Sequence, residues 1–373
     1  MKKIVSILLA LQLVAACIYP FNEVIETPDT PILVFNGNIN IGGFASVSVS
    51  LMQGFDGSYP GNVTTVSLDE WWIEDDSGVT YRPAAPSEKV SLADAPTDRQ
   101  YRAVIIADGK TYSTAFKKPT APPVPEKLEF VADDISVSCT LSFSEGADKT
   151  GYASLSVEEI WEFHAMYYQE FDIDPVTWEY YPLADDIPSR HYWCWNSAGP
   201  GREIPIDYSN IQGHADKYEV KSFSRKDYRN SRQYYIRVRI RSLSREEFLY
   251  LKNLEEMVAT GGSLFTPNPG EVSGNVICES DPSQRVLGYI TVSRYNTVEG
   301  SLDDRYLLST NYSRDNVKPL KPEEYEYYYY NGWRPIYEDF SDNSFSIVKF
   351  WGPERCVDCV LMGGTLEKPE FTE

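Results

Sequence analysis

The residues of this chain whose spacing carries the most chemistry are cysteines. Near the end, Cys356 and Cys359 stand in the order Cys-x-x-Cys. A redox pair of that spacing needs its first thiol at a helix N-terminus, which lowers the thiol pKa. Here the pair follows the strand-like SIVKFWGPER and precedes Gly363-Gly364. A zinc site needs four ligands, and only Cys194, Cys278 and distant histidines remain to complete one. A structural disulfide is the favoured reading: Cys356 to Cys359 directly, or one of the two to Cys194. The long-range option closes a loop of about 165 residues, worth about 4–5 kcal/mol in the chain-entropy model.

Cys17 carries a different signature. Lys2 and Lys3 precede a short apolar run, Ile4 to Ala16, interrupted only by Ser6 and Gln12, and Val14-Ala15-Ala16-Cys17 reads as a bacterial lipobox. The expectation is a signal peptide over 1–16, its removal, acylation of Cys17, and a lipidated tether over 17–30. The apolar run is too short to span a bilayer core about 30 Å thick as a permanent helix. Buried acyl chains contribute about 0.8 kcal/mol per methylene, so several together anchor a protein to a membrane without any transmembrane helix. The alternative is an ordinary secretory signal with a chance cysteine. Lipidation leaves five cysteines in an oxidising compartment, hence at least one free thiol. Cys139 alternates among strand residues in ISVSCTLSF and is expected in the core.

Other chemistry finds little support. His164, His191 and His214 are far apart, and the chain lacks HExxH, GxSxG, a phosphate-binding glycine loop and a GxGxxG. No cofactor, no metal and no catalytic residue is therefore expected. Asp75-Asp76, Asp185-Asp186, Asp303-Asp304 and DFSDNS (339–344) lack the order of an EF-hand loop and read as solvated loop acids, with weak calcium loops as the alternative. A glycosidase carboxylate pair is recognised by its separation across a cleft, which a sequence does not give. Aromatic residues are abundant, 51 of 373, of which 27 are tyrosine. Tyr327, Tyr328, Tyr329, Tyr330 and Trp333, with Trp193 and Trp195, form runs richer than one buried face requires. Such rings suit stacking on a glycan or a protein surface. Packing between domains explains the same excess.

The formal net charge of −21 excludes nucleic acid as a partner, because phosphate binding requires lysine and arginine to displace counterions. Glycans, peptides, other proteins or cations suit it better. A mature chain of about 357 residues is long enough for two domains.

The elements that position these residues read as mostly β: two immunoglobulin- or fibronectin-like sandwiches, the second elaborated by one helix. PILVFNGNI, ASVSVSLM, VTYRP, RQYRAVIIADG and KTYSTAF are short strands, with Asp108-Gly109 as a hairpin turn. They define an N-terminal β domain over 31–118. The proline-rich segment 119–126 reads as a linker, and 127–373 as a second β-rich domain ending in the Cys-x-x-Cys tail. In QYYIRVRIRSL, Ile236, Val238 and Ile240 share one face and Arg237, Arg239 and Arg241 the other. The arginine row reads as a sheet face paired with acids, or else as a carboxylate-binding stripe. Ser244 with Glu247 makes a capping box for a helix over about 244–260, carrying Phe248, Leu251, Leu254 and Val258 and stopped by Gly261-Gly262.

Three stretches resemble a known family. REEFLYLKNLEEMVATGGSLFTPNPGEVSGNVICESDPSQRVLGYITVS is similar to the signature of domain-of-unknown-function family 4249, a group of Bacteroidetes lipoproteins. CWNSAGPGREIPI resembles its internal cysteine motif, and CVDCVLMGGTLEKPEF its terminus. The chain departs in Phe371-Thr372-Glu373, where a Phe-Trp end is usual, and in having Cys278. The resemblance implies an outer-membrane lipoprotein, periplasmic or surface-facing, encoded beside a TonB-dependent transporter. It carries over no catalytic residue. The expected function is thus an accessory or binding protein partnering such a transporter or another envelope protein, with a glycan or peptide ligand. The alternatives are a glycan-degrading hydrolase with a carboxylate pair, and a surface adhesin or scaffold.

Overall fold

The computed structural model describes residues 32–51, 64–143, 151–183, 191–208, 217–260, 274–302, 317–340 and 346–371. The signal peptide 1–16, Cys17 and the tether 17–30 lie outside them, as do Asp185-Asp186, Asp303-Asp304, His214 and Gly261-Gly262. The described chain is mostly strand, with two α-helices, Arg245–Thr260 and Tyr325–Tyr330.

Two sheets face each other across the first core. One has the order Val286–Ser293, Leu33–Asn40, Phe44–Leu51, Thr64–Val66, with Val90–Ser91 also on the third strand. The other runs Val276–Cys278, Lys110–Thr114, Tyr101–Ala107, Glu70–Asp75, Thr80–Tyr81. Alternation along Leu33–Asn40 sends Phe35 and Ile39 inward, where they meet Trp71, Ile73, Ile105 and Tyr112. Asp108 and Gly109 turn at φ 51° and 67°, the doubly left-handed geometry expected of a tight hairpin.

The first unit does not close at residue 118. Two of its strands come from the region assigned by sequence to the second domain: Val286–Ser293 pairs parallel with Leu33–Asn40, and Val276–Cys278 pairs with Lys110–Thr114. Val276, Cys278, Ile290 and Val292 belong to the first core. The physical reason lies in the close approach of three backbones. A Cβ on Gly274 would lie 1.7 Å from the Gly288 carbonyl oxygen, and one on Gly288 would lie 1.8 Å from that of Phe35. The Asn275 amide completes the joint, accepting from the Ile290 N–H at 2.8 Å and donating to the Ile290 carbonyl at 2.7 Å. These are the Gly-Asn and Leu-Gly-Tyr positions of the family-like signature.

In the second unit one sheet has the order Trp193–Ala198, Tyr152–His164, Gln233–Leu243, Tyr295–Ser301, with Ile204–Asp207 also on Tyr152–His164. Its partner sheet is Tyr218–Ser224, Ser136–Phe143, Pro125–Ala132. Tyr152–His164 thus pairs along one edge with two successive strands. The Gly199-Pro200-Gly201 turn steps between them, held by the Gly201 N–H on the Val157 carbonyl at 3.1 Å. Ile236, Val238 and Ile240 are fully buried, as their alternation predicts.

The proline-rich segment is pinned rather than spanning solvent. Its carbonyls accept from the second unit: Thr120 from the Ser242 hydroxyl at 2.7 Å, and Pro123 from the Asn296 amide at 3.1 Å. Pro125 already opens a strand. The long helix starts on the expected box, with the Glu247 N–H donating to Ser244 Oγ at 3.2 Å and the Ser244 N–H to Glu247 Oε2 at 3.0 Å. It bridges the two units: Phe248 stacks on Tyr152 at 4.5 Å, and Tyr250 packs on Tyr289 at 5.0 Å. A smaller aromatic module joins the hairpin Phe171–Ile173/Tyr180–Pro182 to the sheet Lys318–Pro319, Ile347–Pro353, Trp333–Phe340.

Two glycines separate crowding from backbone conformation. Gly288 and Gly42 share a left-handed φ, 96° and 92°, but a Cβ on Gly42 would meet nothing within 4 Å. Gly42→Ala should cost about 1–2 kcal/mol for conformation alone. Gly288→Ala should cost more than about 3 kcal/mol, since the strand must also part from Phe35. Urea unfolding of the two variants decides; equal losses would show that the close approach does not bear on stability.

Candidate functional site

The long helix, the outer face of the first sheet and the arginine strand enclose a cleft of about 620 Å³. The same alternation that buries Phe35 and Ile39 turns Asn36 and Asn38 outward, and the neighbouring strands add Ser46, Ser48, Tyr289 and Thr291 to that face. Thr291 Oγ1 donates to Asn38 Oδ1 at 3.1 Å. This wall is neutral and rich in hydrogen-bonding groups.

The facing wall is charged and internally paired. Arg241, 3% exposed, donates through Nε to Glu203 Oε1 at 3.2 Å and through Nη1 to Glu247 Oε1 at 3.3 Å. Burial alone would lower the Arg241 pKa, but Glu203 first, then Tyr295 and Glu247, raise it above the ordinary arginine value. Glu247 serves the helix cap and this pair at once. Both acids in the cleft are thus bound by the same guanidinium. Further along the strand, Arg239 pairs with Glu158 at 3.4 Å and Arg237 with Glu299 at 2.8 Å. Of the two readings of the arginine row, the cross-strand ion-paired face is the one the geometry displays.

The predicted aromatic surface is divided. The run Tyr325–Tyr330 is a helix, so residues three and four apart share a face. Tyr325 stacks on Trp351 at 5.1 Å, Tyr328 meets Trp333 at 5.0 Å, and Tyr329 meets Trp178 at 5.9 Å. Tyr327 and Tyr330, 66% and 69% exposed, point away. Trp193 and Trp195 lie elsewhere, on the strand next to Tyr152–His164. Arg232 covers the Trp193 ring at 4.8 Å, and Lys368 covers that of Trp195 at 5.2 Å. The seven rings therefore do not line one surface.

The cysteines resolve to a Cys194–Cys359 bridge, S–S 2.05 Å, closing a sequence separation of 165. Cys356, Cys139 and Cys278 are free and buried. Burial pushes the Cys139 thiol up to about 12, with Glu159 adding to it, and it also raises Cys356 against the pull of Arg355. The glycine pair after the bridge has a steric cause. Gly363 turns at φ 93°, and a Cβ on Gly364 would lie 2.5 Å from that of Cys194. Thr365 then exchanges backbone hydrogen bonds with Trp195 at 2.7 and 2.8 Å, which holds the tail to the second sheet.

Of the histidines, His164 stacks on Tyr192 at 5.2 Å and His191 lies 3.3 Å from Asp358. Asp75, read as a loop acid, is buried. Burial would raise its pKa, but hydrogen bonds from the Ser77 hydroxyl and the Val79 and Ser77 N–H groups outweigh that and lower it. Asp339 accepts from the following N–H at 2.7 Å. Among the described residues, no three His, Cys, Asp or Glu side chains converge as a metal site. The cleft itself escapes sequence reading because it joins residues from 34 to 295. Its one legible trace is the pair of alternating polar rows in FNGNIN and SVSVS.

Most of the residues that build the two β units, and all those that line the cleft, fall within the span matched by one family's sequence model. Residues 18–299 match the Domain of unknown function (DUF4249), and the chain belongs to that family. The match excludes Cys17 and stops before the bridge at Cys359. No curated protein matches the chain.

The bridge makes a two-sided prediction. Cys359→Ser should lower stability by about 2–5 kcal/mol, the range for losing a native disulfide, whereas Cys356→Ser leaves the bridge in place. Non-reducing peptide mapping checks the premise: a linked Cys356–Cys359 peptide would contradict it. Arg241→Met should cost about 3–5 kcal/mol by leaving buried Glu247 without its cation, measured by chemical denaturation. A loss below about 1 kcal/mol, the level of an exposed pair, would refute the clamp.

Proposed function

We propose that this chain is a lipid-anchored accessory protein of the outer membrane that binds a ligand or partner and works beside a TonB-dependent transporter. The observation that carries the binding part is the cleft. Its walls come from two β units joined by a pinned linker, a bridging helix and a strand run that passes from one sheet to the other across the single residue Arg294. A space of about 620 Å³ with one neutral hydrogen-bonding wall is the size and character of a small-ligand site. Anchoring rests on Cys17 in its lipobox and on the lipoprotein character that the resemblance implies. Among the described residues no helix is long and apolar enough to cross a membrane. Exposed Tyr327 and Tyr330 offer amphipathic rings to an envelope partner.

Extraction of native envelopes in mild detergent tests the reading. The protein should sediment with membranes and co-purify with a transporter, and Cys17→Ala should release it to the soluble fraction. Recovery of the anchored protein with no envelope protein attached would sink the partnership. Protease treatment of intact cells assigns the face: digestion marks surface exposure, protection marks the periplasm.

A further inference from the structure

The two walls of the cleft differ in chemistry. Its floor is the outer face of three paired strands, where cross-strand register sets out two rows: Thr291, Asn38 and Ser46 in one, Tyr289, Asn36 and Ser48 in the other. The opposite wall is the long helix, which presents Tyr250, Leu251 and Leu254. Resting on the reading of the cleft as a ligand site, we infer that its occupant is a neutral oligosaccharide, with hydroxyls on the strand face and the C–H face of a pyranose ring against the helix.

Charge is the first constraint. The lining carries Arg202, Arg241, Glu203 and Glu247, two of each sign, in a chain of net charge −21. Arg241 binds both acids, and Arg202 lies 3.8 Å from Glu255 on the helix. The cleft makes no net demand for a charged ligand, and a ligand ion would be desolvated there without a counter-ion. The floor is the second constraint. Leu33–Asn40 is paired along both edges. The cleft therefore meets the face of that strand, and a peptide backbone finds no open edge on it to join as a further strand. The face offers amide and hydroxyl side chains, each both donor and acceptor, and a sugar hydroxyl has the same double character. Asn36, Ser46 and Ser48 are exposed to solvent. The two rows lie about 7 Å apart along the strand and neighbours within a row about 4.8 Å apart, a grid on the scale of a pyranose ring with its substituents. The helix wall is the third. A pyranose is polar round its rim and apolar across its faces, so a single ring satisfies both walls. Tyr250, packed on Tyr289 at 5.0 Å, supplies a flat ring for that apolar face.

Isothermal titration with maltotriose, cellotriose, xylotriose and mannotriose tests the inference. At least one of these neutral sugars should bind. Asn36→Ala with Ser46→Ala should then weaken it about 10-fold, the effect of losing a pair of neutral hydrogen bonds. Should that double variant not fold, Asn36→Ala alone, at an exposed position, should still weaken it about two-fold or more. Trigalacturonate, of similar size but anionic, should bind less tightly than the best neutral sugar. The absence of binding by every sugar in the set overturns the inference, as does binding that the variants leave unchanged. Tighter binding of trigalacturonate overturns the neutral ligand. Binding of acetyl-Leu-Leu-Ala-Gly-Ala amide that none of the sugars displaces would also overturn it, in favour of a peptide. Any of these results with membrane co-purification intact removes the neutral saccharide and leaves the accessory role standing.

Discussion

The structure depends on one close approach of three backbones. Gly274 lies against Gly288, and Gly288 against Phe35, at separations that no side chain tolerates. This contact lets Val286–Ser293 enter the first sheet beside Leu33–Asn40 over eight paired positions. A parallel pair needs a long crossover, and here the intervening chain holds the other strands of the first unit and most strands of the second. The first core is therefore completed by strands that follow most of the second unit in the chain. The Asn275 side chain substitutes for a strand at the point where Ile290 would otherwise keep an unpaired N–H, a group that is costly to bury.

Rigidity of the cleft follows. Ser293 is the last residue of a first-unit strand and Tyr295 the first of a second-unit strand, so Arg294 alone separates the two sheets. Independent motion of the units would have to break strand pairing on one side or the other. The helix adds a second tie, because Glu247 caps it and binds Arg241 in the facing sheet. Lys117, at the end of the first unit, adds a third by pairing with Glu246 of the helix at 3.2 Å. Inter-domain motion is the usual expectation for two-domain chains joined by a linker. Here the linker carbonyls are occupied and three chain crossings bind the units, so the cleft is a fixed feature of the surface.

Local physics made much of the fold legible in the sequence. Alternation placed Ile236, Val238 and Ile240 inward, Asp108-Gly109 marked its hairpin, and Ser244 with Glu247 marked the helix start. Each of these signals lies within a dozen residues. What the sequence concealed was long-range. The boundary at 118 failed because nothing in GNVICES or RVLGYITVS states which sheet it joins; a β-strand pattern specifies a face, not a partner. The tyrosine run misled for a related reason. Consecutive rings read as two strand faces, but a helix half-buries the first, fourth and fifth positions and exposes the third and sixth. The cleft combines both difficulties, since its polar rows look like ordinary solvated strand faces until a second unit covers them.

The family signature takes on a specific meaning in this light. Gly274, Gly288 and Gly364 sit where backbones or the Cys194–Cys359 bridge approach too closely for a side chain, and Asn275 pairs a strand end. Its capping box starts the bridging helix, and Gly199-Pro200-Gly201 steps between two strands. All of these residues hold the fold together. Gly288 reaches the cleft only as backbone, but Glu247 of the capping box faces it and binds Arg241. The signature also supplies Glu203, Tyr250, Leu251, Leu254, Tyr289 and Thr291 to the cleft, so it reaches from the joints of the fold into the lining of the cleft. The rest of the polar wall, Asn36, Asn38, Ser46 and Ser48, lies outside it and projects from sheet faces whose opposite sides already carry the core.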